Sequence, residues 1–426
     1  VDLDTFLDLL TERGRRALAE AVEATSSGLD PVVAATRLRK TYDPALSAVA
    51  LTQAALRERA RDKFGPDAAA MYFTRAGLEQ STRREVADHR ARRLAAHFGI
   101  APLSAQAALT APPQAAPSMP PAASPNGPSV ADLCCGIGGD MIALARAGFA
   151  VHAVDADPLT AAVARANAEA LGLGDRVRVH AAEAASVDPA AFDAVFLDPA
   201  RRTSRGRTFD PMAYSPAWPE VLGIVARSRA ACLKVAPGIP DEILPVGAEA
   251  EWVSYRGEVK EAVIWCGPLG AGAVRRAGEA VARRATLLPA GLVLAPDAPE
   301  APVGEIGAYL YEPDGAAIRA HLVAEVADMV RGRLIDPLIA YLTSDERVST
   351  PWASCYEIHK VMPFSLKRLR AALRAEGVGS VTIKKRGSAV DIERLRKDLK
   401  LSGDKSVVVV LTRIGDRPFA LICTPC

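Results

Sequence analysis

The run Asp132-Leu133-Cys134-Cys135-Gly136-Ile137-Gly138-Gly139-Asp140 combines carboxylates with three glycines between an apolar stretch and a helical pattern. A strand, a glycine turn and a helix start leave backbone N–H groups unpaired and let a ligand approach the main chain. The spacing narrows the ligand. Counted from Gly136, a G-x-G-x-x-G dinucleotide turn would need glycine where Met141 stands, and the Lys and Ser/Thr of a P-loop are absent. Three more carboxylates follow apolar runs: Asp155 in Val154-Asp155-Ala156-Asp157-Pro158, Glu183 in Ala182-Glu183-Ala184, and Asp198 in Asp198-Pro199-Ala200-Arg201. Asp155 comes about twenty residues after the glycine turn, where a carboxylate can accept from both hydroxyls of a ribose.

The elements that must position these residues are legible as short apolar runs alternating with helical ones, the pattern of a parallel sheet covered by helices. Strands are expected at 130–133, 150–154, 177–180, 194–197, 231–235, 251–255 and 262–266. Only residues 256–261 separate the last two, too few for a parallel crossover, so they must pair antiparallel. The expected fold class is α/β, a seven-stranded Rossmann-like sheet over 129–270 ending in an antiparallel hairpin. Residues 1–100 read as a helical domain and 101–128 as a Pro/Ala-rich linker. Residues 271–350 form a connecting α/β region, with strands near 292–294 and 306–310 and a helix from an Asp314 N-cap to about Arg331. Residues 351–426 read as a small α+β domain with helices at 365–376 and 391–400 and strands at 380–385, 406–412 and 419–423.

With those elements assigned, the glycine turn resembles the first motif of class I S-adenosylmethionine-dependent methyltransferases, and the other motifs follow in order at successive strand ends. The resemblance implies S-adenosylmethionine as cofactor and a set of cofactor residues comprising Thr82, Asp132, Cys134, Gly136, Gly138, Gly139, Asp155, Ala156, Glu183, Ala184 and Asp198. Within it Glu183 takes the position that faces the adenine amino group, and Asp198-Pro199 the acceptor motif. Asp198 and Pro199 are accordingly the catalytic candidates, because a carboxylate and a carbonyl can accept the two N–H groups of an amine and aim its nitrogen. Gln80-Ser81-Thr82, Val86-Ala87-Asp88-His89 and Ala164-Arg165-Ala166-Asn167-Ala168-Glu169 also resemble the trimethylguanosine synthase group of RNA guanine methyltransferases. Arg201 stands where that group stacks a cap base, so a cap-like substrate is not carried over.

Arg201, Arg202, Arg205 and Arg207 crowd the segment after Asp198 and favour a polyanionic acceptor, since each guanidinium can fork onto a phosphate. Tyr214, Trp218 and Phe209 are candidates to stack on a base. The whole chain of 426 residues carries a net charge of +2, yet residues 350–426 hold fifteen Lys and Arg against seven Asp and Glu. Pro363-Phe364-Ser365-Leu366-Lys367-Arg368-Leu369-Arg370 and Ile383-Lys384-Lys385-Arg386-Gly387 resemble the THUMP-like domain found fused to methyltransferases, which implies RNA, tRNA or rRNA, as partner.

No apolar stretch reaches the length of a membrane span, and Asp2, Asp4 and Asp8 oppose a signal peptide, so a cytoplasmic location is expected. Seven cysteines, two of them adjacent, make a poor disulfide framework, and reduced thiols are the default. Cys423 and Cys426 form a lone C-x-x-C without the further ligands of a closed zinc site, so no metal is expected. Cys232 is a strand cysteine of the kind that is usually inert. The leading reading is methylation of an RNA base, at an exocyclic amine. A small-molecule methyltransferase with an anionic substrate and a noncatalytic RNA-binding protein that keeps the cofactor fold stay open.

Overall fold

A computed structural model describes residues 1–100, 127–200, 202–203, 206–207 and 214–426. The 101–128 linker of the sequence reading thus falls almost wholly outside the described residues. The described chain divides into two units, one of Val1–Glu249 with Ala262–Gly272 and one of Ala250–Glu261 with Ala273–Cys426.

The first unit opens with helices α1 (Leu3–Leu9), α2 (Glu12–Ser26), α3 (Pro31–Leu38), α4 (Pro44–Phe64), α5 (Arg75–Gln80) and α6 (Arg84–His97). Their ends follow local chemistry. Thr11 accepts from Gly14 N at 3.0 Å and Asp43 from Leu46 N at 2.9 Å, and prolines 31 and 44 occupy first-turn positions where a missing N–H costs nothing. Phe6, Leu9, Leu18, Leu46, Phe64 and Phe73 bury the shared face of this helical region.

The same unit then forms β1 (Ser129–Leu133), α7 (Gly139–Arg146), β2 (Ala150–Asp155), α8 (Pro158–Ala170), β3 (Val177–Ala181), β4 (Ala194–Leu197), α9 (Trp218–Arg227) and β5 (Ala231–Val235). The strands lie in the order β3-β2-β1-β4-β5, all parallel. Because β1 is flanked by β2 on one side and β4 on the other, the strand order reverses there. Ligands of open α/β sheets bind beyond the carboxyl ends of the strands at such a switch point.

β6 (Glu249–Tyr255) and β7 (Glu258–Cys266) turn at Arg256-Gly257, and residues 262–266 of β7 pair antiparallel with β5 in the first unit. All seven expected strands are present, with the last antiparallel.

In the second unit, β8 (Ala282–Leu288) lies beside residues 250–255, and β9 (Leu292–Leu294) lies beside β8. Its second sheet has the order β11-β12-β10-β13-β16-β15-β14, built from β10 (Tyr309–Pro313), β11 (Arg333–Asp336), β12 (Ile339–Ser344), β13 (Ala353–Pro363), β14 (Val378–Lys385), β15 (Lys405–Ile414) and β16 (Arg417–Pro425). Helices α12 (Leu366–Ala375) and α13 (Ile392–Leu399) cover one face. Along β15, Val407, Val409 and Leu411 meet these helices while Val408 and Val410 point into a second apolar cluster, the two-residue alternation of a strand buried on both faces.

The single helix expected from Asp314 to Arg331 is two, α10 (Gly315–Arg319) and α11 (Val323–Met329). Asp314 does cap the first, accepting from Ala316 N at 2.7 Å, but His321 adopts φ 58°, a left-handed residue that no continuous helix can contain. The strand expected at 306–310 starts at Tyr309, and 282–288, 333–336 and 339–344 are strands that the sequence reading missed.

Candidate active site

The carboxyl ends of β1, β2 and β4 open into a cavity of about 360 Å³. Its floor is the glycine turn. Cys134, Gly136 and Gly138 have φ of 68°, 56° and 92°, so three left-handed residues reverse the chain between β1 and α7. At Gly138 a side chain would meet Met141 Cε at 2.5 Å as well as the backbone penalty. Asp155, at the end of β2, holds the turn in place: one carboxylate oxygen accepts from Gly136 N at 2.9 Å and the other from Asp157 N at 3.0 Å. Burial raises its pKa despite those two N–H groups, and each oxygen retains accepting capacity for a ligand hydroxyl.

Asp132 is the least satisfied group of the cavity wall. It is fully buried in β1, and neither carboxylate oxygen has a hydrogen-bond partner among the described residues. Burial first, then the neighbouring charges of Asp140 and Asp198, push its pKa well above the usual carboxylate range. A buried carboxylate left without donors is costly unless a cationic or donor-rich ligand arrives.

The helical region supplies the opposite wall. Thr82 Oγ1 donates to Asp140 at 2.9 Å and Arg90 Nη1 donates to the other oxygen of Asp140 at 2.8 Å. The Arg90 guanidinium also lies 4.8 Å from the centre of the Phe196 ring. Lys63 donates to the carbonyls of Leu78, Glu79 and Ser81 at 2.7, 2.9 and 3.1 Å, capping the carboxyl end of α5 and fixing the segment that leads to Thr82. Asn167 of α8 joins both walls. Its Oδ1 accepts from Tyr72 N at 2.6 Å, and its Nδ2 donates to the carbonyls of Tyr72 and Ile137 at 3.0 and 2.9 Å.

Asp198 follows β4 and forms an ion pair with Lys234 of β5. Lys234 is buried, so its ammonium fixes one oxygen of Asp198, whose side chain, about a quarter exposed, lines the cavity.

Of the residues expected at a site, Thr82, Asp132, Cys134 and Gly136 line the cavity together with Gly139, Asp155, Asp198 and Pro199. Gly138 shapes the turn from beneath. Glu183, exposed just beyond β3 and preceding the buried Ala184, does not line the cavity, though it lies close enough for its charge to act on Asp155 and Cys134. Ala156 follows Asp155 and is exposed. Tyr214 and Trp218 are buried among core residues and do not line the cavity, so the base-stacking expectation does not fit their placement. Cys232 is buried and does not line the cavity either.

Arg201, Arg205 and Phe209 lie outside the described residues; Arg202 and Arg207 oppose each other in a short antiparallel ladder. Ala200, on the cavity wall, exchanges backbone hydrogen bonds of 2.8 and 3.0 Å with Ser215. In sequence, the arginine-rich stretch lies between these two paired residues.

Lys234, Arg90 and Lys63 were missed in the sequence reading, and Asn167 was read only as part of a motif, without the contacts it makes here. One signal existed: Lys234 is the lone charge of the apolar strand Ala231-Cys232-Leu233-Lys234-Val235, and a lysine buried in a sheet needs a partner.

A methyltransferase of Mycobacterium tuberculosis, described as an uncharacterised S-adenosylmethionine-dependent enzyme in strains CDC 1551 and H37Rv, is 34% identical over 386 residues, covering 87% of this chain and 95% of the relative. The chain belongs to the S-adenosylmethionine-dependent methyltransferases. Residues 130–204 of this methyltransferase match a family model described as methyltransferase domain, residues 353–425 one described as THUMP domain-like, and residues 2–60 a domain of unknown function. A crystal structure from Porphyromonas gingivalis W83, described as a methyltransferase, shares the fold with a TM-score of 0.70 at 20% identity, covering 97% of this chain and 98% of that one.

S-adenosylmethionine is the methyltransferase's cofactor, and the cavity fits it on independent physical grounds. The partnerless oxygens of Asp132 suit a cationic amino-acid moiety, while Asp155 and the glycine turn suit a ribose. Among the described residues no helix is long and apolar enough to cross a membrane.

Proposed function

We propose that this methyltransferase modifies a base of RNA at an exocyclic amine, with Asp198 and the carbonyl of Pro199 aiming the acceptor nitrogen. S-adenosylmethionine supplies an electrophilic methyl group on a sulfonium; the chain's own residues supply position and charge. Asp132 and Asp155 hold the cofactor's amino-acid and ribose ends, with Thr82, Cys134, Gly136, Gly138, Gly139, Ala156, Glu183 and Ala184 shaping the rest of its pocket. The observation that carries the acceptor role is the Asp198–Lys234 pair at the cavity wall. The fixed carboxylate accepts an amine N–H, and its negative charge opposes the positive charge that develops on nitrogen as the methyl arrives.

RNA is favoured over a small anion by the THUMP domain-like match at residues 353–425 and by the concentration of basic residues over 350–426. Arg201, Arg202, Arg205 and Arg207 fall in sequence between Ala200 and Ser215, whose backbones pair beside the cavity, and a phosphate backbone entering there would meet them. The likeness of the core to the trimethylguanosine synthase group belongs to the same reading, without a capped substrate.

Nucleoside mass spectrometry of total RNA from strains with and without this protein tests the proposal. One methylated nucleoside should be missing from the deletion strain and return with the wild-type chain. Identical nucleoside profiles, with methyl transfer to a small anionic metabolite, would replace the RNA reading with the small-molecule one.

A further inference from the structure

In the second unit, β13 and β16 pair antiparallel, with Tyr356 opposite Pro425. One step further along, Cys426 N donates to Cys355 O at 3.1 Å, which sets the two cysteines opposite each other. Residues directly opposed on antiparallel strands project to the same face with Cα atoms about 5.5 Å apart, inside the range that a disulfide spans. Here the two Sγ atoms face each other at 2.6 Å. Cys355 is half-buried and Cys426 exposed, so a dissolved reagent can reach the pair.

The pairing differs from the one that the C-x-x-C spacing suggests. Cys423 and Cys426 are three residues apart on one strand and therefore point to opposite faces. Cys423 is fully buried in the apolar cluster with Val408, Val410 and Leu421.

We infer that Cys355 and Cys426 form a dithiol site that closes reversibly into a cross-strand disulfide. The oxidant is a low-molecular-weight disulfide. One cysteine thiolate attacks it, releasing one small thiol and leaving a mixed disulfide, and the second cysteine displaces the other small thiol. One S–S bond breaks and one forms, two electrons pass to the reagent, and the two cysteine protons end on the two released thiols. Closure ties the beginning of β13 to the end of β16 and restricts the unfolded chain. The inference does not depend on the acceptor reading.

The test uses the full chain, reduced, incubated with oxidised glutathione, alkylated under denaturing conditions and mapped by mass spectrometry. Two fewer alkylated cysteines than the seven of the reduced chain are expected, with one cross-linked peptide joining Cys355 to Cys426. Dithiothreitol should reverse the linkage, and the oxidised chain should melt at a higher temperature than the reduced one. Cys355→Ser and Cys426→Ser should each abolish both the linkage and the shift in melting temperature; Cys426 is exposed, so its variant leaves the core intact. Alkylation of all seven cysteines, a Cys423–Cys426 link, or glutathione retained on Cys426 with Cys355 alkylated would each overturn the inference.

Discussion

Lys234 and Asp198 meet because the parallel register that pairs Leu197 with Leu233, carried one residue further, sets them side by side at the carboxyl ends of β4 and β5. The ammonium is buried and the carboxylate partly open, so the pair presents an anion of fixed orientation to the cavity. Lys234→Met should lower methyl transfer by about a hundredfold, the scale of losing one preorganised charge contact, while cofactor affinity stays unchanged. Single-turnover rates and calorimetry on the same variant check both halves.

Asp132 links cofactor binding to stability. Its folded-state pKa is raised, so the protein without cofactor binds a proton there more tightly than the unfolded chain does. The associated stability is present at acid pH and is lost as pH climbs from the ordinary carboxylate range through the raised value. Asp132→Asn should remove that loss, raising the melting temperature of the cofactor-free protein at neutral pH. The same change should weaken cofactor binding by about ten- to a hundredfold, the worth of a hydrogen bond to a charged group. Melting curves across pH and calorimetric titration read the two effects.

Burial, and secondarily the charge of Lys234, lower the pKa of Lys63 to about 8. The unfolded chain then binds more protons than the native one between about 8 and the ordinary lysine value of 10.5, so stability should rise with pH across that window. Lys63→Met should flatten this rise and, by releasing the carbonyls of Leu78, Glu79 and Ser81, also weaken cofactor binding. Denaturant titrations at several pH values decide it.

Lys367, Arg368, Arg396 and Lys397 are exposed on α12 and α13. If phosphates dock there, replacing one of these residues with Gln should weaken RNA binding across sequences and reduce the slope of log affinity against log salt by about one. Filter binding at a series of salt concentrations measures the slope.

The glycine turn and the carboxylates Asp132, Asp155 and Asp198 were legible because their chemistry is local, a tight turn needing glycines and an apolar strand giving way to polar residues at its end; these three line the cavity, and Glu183 does not. The long-range contacts were not. Nothing in the spacing ties Thr82 and Arg90 to Asp140, or Asn167 to Tyr72 and Ile137, because these bonds exist only once the helical region packs on α7 and α8. Strand β8 escaped notice because Arg283 and Arg284 interrupt its apolar run; in the fold the Arg283 guanidinium lies 5.8 Å from the centre of the Trp252 ring. Tyr214 and Trp218 misled for the converse reason, since aromatic residues close in sequence to an acceptor motif are placed by the core they fill.

The most direct test of the central claim is methyl transfer from labelled S-adenosylmethionine to RNA of a strain lacking this protein, run in parallel with wild type and Asp198→Ala, with cofactor binding of both confirmed by calorimetry. Label in a single nucleoside with the wild type, and none above background with the variant at equal cofactor affinity, is the predicted result. Equal labelling by both proteins would remove Asp198 from acceptor orientation, and no labelling by the wild type would contradict RNA as the substrate.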